Sequence, residues 1–160
     1  MKFELAQNFD APAATVIGVY CDPDFYPALD GVGQIGDPSV LGREEQGDTI
    51  VMRVRFRFTG DLPSAALAIV RPERLTWVEE TTYDLDKLTA RSQIQPDHYA
   101  DRLQASATSH FKDHEGGSRR SVTGELKVRA LLVGGQVEKA IVSGMREHFV
   151  DEERVVATRL

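Results

Sequence analysis

Alternation of apolar and polar residues dominates most of the chain, and a three-and-four spacing takes over near its end. Lys2 to Phe9 places Phe3, Leu5 and Phe9 on one face and Lys2, Glu4 and Asn8 on the other, the period of a half-buried strand. Asp10 before Ala11-Pro12 predicts a capped helix start, and Val16, Ile17, Tyr20 and Cys21 follow at helical spacing. Asp22-Pro23 repeats the signal for a second short helix through Phe25, Tyr26 and Leu29. Gly31, Gly33, Gly36 and Pro38 break the pattern.

Strands follow in succession. Val40 to Glu45 leads to a turn at Gln46-Gly47-Asp48. Thr49 to Thr59 then sets Ile50, Met52, Val54, Phe56 and Phe58 against Val51, Arg53, Arg55, Arg57 and Thr59. So clean a division requires one dry face and one wet face. Asp61 is positioned to cap a short apolar helix containing Pro63, Ala65, Ala66, Leu67, Ile69 and Val70. Leu75–Tyr83, Leu88–Gln95, Leu103–Phe111 and Ser118–Ala130 read as four more strands, with Lys112 to Gly117 as a polar turn.

From Leu132 the period changes. Apolar positions fall at Val133, Val137, Ala140, Ile141, Gly144, Met145, His148 and Phe149, then at Val155 and Val156. This is an amphipathic helix on the order of 40 Å long at ~1.5 Å per residue. Its stripe needs an apolar partner, and the dry face of the sheet is the large candidate. The prediction is an α+β single domain over 1–160: a seven-stranded curved antiparallel sheet around a long C-terminal helix, with two short helices after strand 1. A helix filling only part of the concave face leaves a cavity.

The element order resembles that of the START-like, or helix-grip (SRPBCC), superfamily. More narrowly, the sequence is similar to an uncharacterised actinobacterial family within it. The residues carrying the resemblance are MKFELAQNF at the start, DPDFY at 22–26, Asp61-Leu62-Pro63, Trp77, and VTGELKVRALLVGGQVEKAI at 122–141. It spans essentially the whole chain, and the tail motif is its most specific part. One departure is Leu131, where relatives tend to carry proline before the Leu-Val-Gly-Gly step. The resemblance implies a cavity for an apolar or aromatic small molecule. It also implies several function classes, since relatives carry lipids or sterols, cyclise polyketides, bind plant hormones or assist folding; fold alone does not select among them.

Composition narrows the classes. The 160 residues carry a net charge of -6, which opposes broad association with nucleic acid or anionic lipid. The single cysteine, Cys21, excludes an intrachain disulfide and a cysteine-based zinc site, and reads as a buried thiol. The opening alternates and carries Glu4, unlike a signal peptide, and apolar runs fall short of a membrane span; a cytoplasmic location is expected. His98, His110, His114 and His148 lack a short metal-ligand spacing, so no metal or cofactor is expected.

Candidate cavity residues follow from parity. Met52, Val54, Phe56 and Phe58 come from the cleanest strand, and Trp77, Glu79 and Tyr83 from the next. Ser92, Ser109 and Arg120 belong to later strands, Ile141, Met145 and His148 to the helix stripe. If strand parity sets Glu79 rather than Glu80 on the inner face, it needs a partner or a raised pKa, whereas a bulge would reverse the two; Arg120 is an attractive partner, although sequence does not show that they meet. Three functions compete. The leading one is non-catalytic binding, transport or sensing of a small hydrophobic or aromatic ligand. The second is a cofactor-free polyketide-cyclase-like enzyme, with Glu79, Tyr83, Arg120 and His148 the first residues to test. The third is a structural or protein-partner domain without a ligand, and the sequence leaves a homodimer open.

Overall fold

The computed structural model describes residues 1–68 and 70–160. Ile69 and the side chain of Ala65, both assigned above to the mid-chain helix, lie outside the described residues.

Strand β1 (Lys2–Phe9) buries alternate residues, and its inner face includes Gln7 as well as Phe3, Leu5 and Phe9. Helix α1 (Ala13–Tyr20) and a 3-10 helix (Pro23–Leu29) follow. Then come β2 (Ile35–Gln46), β3 (Thr49–Phe58), the short helix α2 (Ser64–Leu67), a 3-10 turn (Pro72–Arg74), β4 (Thr76–Asp84), β5 (Thr89–Pro96), β6 (Leu103–His114), β7 (Gly117–Val128) and helix α3 (Gly134–Ala157). The sheet order is β1-β7-β6-β5-β4-β3-β2. Every pairing is antiparallel. This is the predicted α+β arrangement. Helix α3, at ~1.5 Å per residue, is about 36 Å long, and it packs on β1, β7 and the first 3-10 helix.

The register converts alternation into rows across the concave face. One row runs Val54–Glu79–Ile94–Ala105–Leu126. The next runs Met52–Thr81–Ser92–Ala107–Gly124–Phe3, and a third Ile50–Tyr83–Ala90–Ser109–Val122–Leu5. Beyond them, Phe111, Arg120 and Gln7 stand side by side. The inner positions of β5 and β6 are thus mostly small. Large apolar side chains stand on β3 to one side and on β1 and β7 to the other, and the core divides accordingly into two clusters. Gly124 has a packing reason: a Cβ there would meet the Phe3 ring and the Ser106 carbonyl.

Four local expectations are corrected. Helix α1 starts after Pro12 rather than from a capping Asp10; the Ala13 N–H donates to Asp113 Oδ1 at 2.6 Å, so a carboxylate from β6 does the cap's work. Helix α2 has Pro63, not Asp61, at its cap and is only four residues long. Strand β2 already begins at Ile35 and passes through Gly36 and Pro38, tolerating them by register shifts between Gly36 and Ser39 and between Val40 and Gly42. The turn between β6 and β7 shrinks to Glu115-Gly116, because pairing persists to His114↔Gly117. The arginines of β3 occupy the outer face as expected, where Arg53 meets Glu44 and Glu80, Arg55 meets Asp97, and Arg57 meets Asp37.

Two fastenings help to set the position of α3. At its start, the Val128 N–H donates to Glu138 Oε1 at 2.8 Å. The corner beside it turns through Leu132 at φ 68°, leaving Leu131 and Leu132 exposed where the resemblance would place a proline before the step. Farther along α3, the loop before β2 presses onto the helix at Gly33, whose φ is 61° and where a Cβ would lie 2.7 Å from His148 Cα. Only glycine satisfies both the backbone angle and that approach.

Candidate functional site

Between α3 and the concave face lies a cavity of about 270 Å³. It exists because Ser92, Ala105 and Ala107 carry too little side chain to reach the helix stripe opposite them, formed by Ile141, Gly144, Met145 and Phe149. Phe56 and Trp77, with ring centroids 6.1 Å apart, form an aromatic wall on the β3–β4 side. The volume falls just below the usual ~300–1,000 Å³ of small-molecule pockets.

A polar diagonal crosses this apolar surface. Glu79 accepts a hydrogen bond from the Thr81 hydroxyl at 3.3 Å, and Thr81 shares one with Ser92 at 2.8 Å. Two strands farther along, Arg120 Nε donates to Ser109 Oγ at 3.4 Å, and Nη1 donates to Gln7 Oε1 at 3.0 Å and Glu152 Oε2 at 3.4 Å. Gln7 uses its full capacity: Oε1 also accepts from the Tyr20 hydroxyl, while Nε2 donates to the Phe149 carbonyl at 2.8 Å and Glu152 Oε2 at 3.0 Å. The guanidinium sits among three rings, 4.4 Å from Tyr20, 5.1 Å from Phe149 and 5.7 Å from Phe111. Burial alone would lower its pKa; Tyr20, Glu152 and Tyr83 outweigh that, so Arg120 stays protonated.

Burial pushes the Glu79 carboxyl above its ordinary value. Arg120 pulls the other way, Glu152 adds to the rise, and hydrogen bonds from Thr81 and Ser92 again lower it. The surface that Glu79 retains is cavity wall. A carboxyl raised in the folded state stabilises folding least at high pH, because stability falls as pH climbs past 4.5 and through the folded value. Glu79→Gln should therefore raise the melting temperature relative to wild type, by roughly 2–4 °C per kcal/mol recovered, with the gain growing from acid to mildly alkaline pH. A gain that did not depend on pH would contradict a Glu79 carboxyl raised above its ordinary value; differential scanning fluorimetry across pH reads it.

All thirteen residues singled out from sequence line the cavity. Their groupings differ from expectation in two respects. The carboxylate partner of Arg120 is Glu152 of α3, whereas Glu79 engages Thr81. His148 borders the cavity, but its Nδ1 lies 3.0 Å from the Val32 carbonyl oxygen, fastening the loop that Gly33 packs on α3. Gln7 and Glu152 are the residues that sequence reasoning missed. Both kept the apolar period: Gln7 falls between Leu5 and Phe9 on β1, and Glu152 falls four residues from both His148 and Val156 on α3. A polar residue interrupting an otherwise apolar stripe was the available signal. Cys21 is buried as expected, and burial pushes its thiol up to about 12. Among the described residues no group of three or more His, Cys, Asp or Glu could hold a metal, and no helix is long and apolar enough to cross a membrane.

Comparisons with known proteins agree with this geometry. The model of DUF2505, described as a protein of unknown function, matches residues 4–160. No curated protein matches the sequence. Solved structures do match in fold. TTHA0849 from Thermus thermophilus is 16% identical with a TM-score of 0.70, covering 99% of this chain and 99% of that one. The Zhui aromatase/cyclase from Streptomyces sp. R1128 is 15% identical with a TM-score of 0.68, covering 99% and 92%. Ara h 8.0201 is 14% identical with a TM-score of 0.61, covering 99% and 98%. At such identities the likeness is one of fold alone, a curved antiparallel sheet around a long C-terminal helix.

Proposed function

The chain belongs to the DUF2505 family, and we propose that it binds a small apolar or aromatic molecule between the sheet and α3, as a carrier or sensor. The observation that carries this reading is the hollow itself: small inner residues on β5 and β6 face an apolar helix stripe, where larger side chains would have closed the core. The Phe56–Trp77 wall suits a flat ring. The fold neighbour named as an aromatase/cyclase makes an aromatic ligand a sensible first class to test.

The polar diagonal is the feature that would serve the alternative, a cofactor-free enzyme. Binding without catalysis is the better supported of the two. Gln7 is fully committed, and Nε and Nη1 of Arg120 are engaged by Ser109, Gln7 and Glu152.

Titration with the neutral fluorescent probe N-phenyl-1-naphthylamine tests the proposal. A saturable 1:1 enhancement with a low-micromolar Kd, about -7 to -8 kcal/mol, is expected. A signal that rises linearly without saturation would remove the binding function.

A further inference from the structure

We infer that the polar end of the cavity selects a neutral ligand oxygen, a ketone-type carbonyl on an apolar ring system, and discriminates against the matching carboxylate. The inference rests on the binding function proposed above and specifies which molecules that site takes.

Charge and hydrogen-bond donors set the selectivity. Arg120 is the one cation among the polar residues of the diagonal, and Glu152, 3.4 Å away, already matches its charge inside the core. Both side chains are nearly buried, 11% and 8% exposed. A ligand carboxylate entering here would leave water and add a second negative charge to a balanced pair. A carbonyl oxygen brings no charge and needs only donors. Donors are present: Nη2 of Arg120 makes no hydrogen bond among the described residues, while the Ser92 and Ser109 hydroxyls border the same space. The rest of the wall offers Phe56, Trp77, Ile94, Leu126 and Met145, a fit for an apolar body. A fatty acid or aryl acid would thus be refused at the end of the cavity where an aryl ketone is held.

Three probes with one skeleton separate the contributions: 1-ethylnaphthalene, 1-acetylnaphthalene and 1-naphthoate, each measured by isothermal titration calorimetry at neutral pH. The expected order is the ketone tightest, the hydrocarbon several-fold weaker, and the carboxylate at least about tenfold weaker than the ketone. Glu152→Gln removes the balancing charge with little change in shape, and should bring the carboxylate at least about tenfold closer to the ketone. If the hydrocarbon binds but the ketone gains nothing over it, or the carboxylate is tightest in wild type, the selectivity is wrong while the binding function stands. If none of the three binds, both are overturned. Should Glu152→Gln fail to fold, the wild-type order alone decides. A folded Glu152→Gln protein with an unchanged carboxylate penalty contradicts the charge argument.

Discussion

Glu152→Leu is expected to cost about 3–5 kcal/mol of stability, because it leaves the Arg120 charge buried without its counter-ion. The guanidinium cannot swing out to water: Ser109 and Gln7 hold it from the sheet, and the Tyr20, Phe111 and Phe149 rings surround it. The same substitution removes an acceptor from Gln7, whose amide would then keep only the Phe149 carbonyl. Urea denaturation should show the midpoint falling with little change in slope. The double variant Arg120→Met with Glu152→Leu should recover most of the loss, since two apolar groups leave no unpaired charge behind. If Glu152→Leu alone proved nearly neutral, the pair would not be the buried link between sheet and α3 described above.

Ala105→Trp should weaken ligand binding strongly while sparing the fold. Ala105 lies in the row between Ile94 and Leu126, and its methyl is cavity wall. An indole there would enter the space assigned to the ligand. Binding of N-phenyl-1-naphthylamine should weaken at least tenfold, about 1.4 kcal/mol. The stability change should stay within the ~1–3 kcal/mol of an overpacked core, or below it if the void accepts the ring. The folded variant binding as well as wild type would place the ligand elsewhere.

Much of the architecture was legible because period is a physical signal. The clean alternation of Ile50 to Phe58 required a dry face, and the three-and-four spacing from Val133 required a helix to cover it. The beginning of β2 was not legible: Gly36 and Pro38 punctuate locally, and only pairing with β3 through shifted register keeps them in a strand. The α1 cap escaped for a similar reason, since Asp113 is distant in sequence from Ala13.

For the site, parity offered Glu79 and Arg120 as inner-face candidates, a bulge being able to reverse either, and parity says nothing of neighbours across the fold. Their separation into a Glu79–Thr81 group and an Arg120–Glu152 pair depends on how α3 lies over the sheet. The hollow was written most plainly in the small inner residues Ala105, Ala107 and Ser109 of β6. Alternation registered them as strand, whereas their size is what leaves space beneath the helix.

The most direct test uses the three methionines as reporters. Met52 and Met145 stand on opposite walls of the cavity, on β3 and on α3, while Met1 is exposed outside it. With 13C-methyl methionine labelling, 1-acetylnaphthalene should shift the Met52 and Met145 methyl resonances together, saturating at one equivalent, with Met1 unmoved. Unchanged Met52 and Met145 signals at saturating probe, or a shift confined to Met1, would contradict a ligand held between the sheet and its helix.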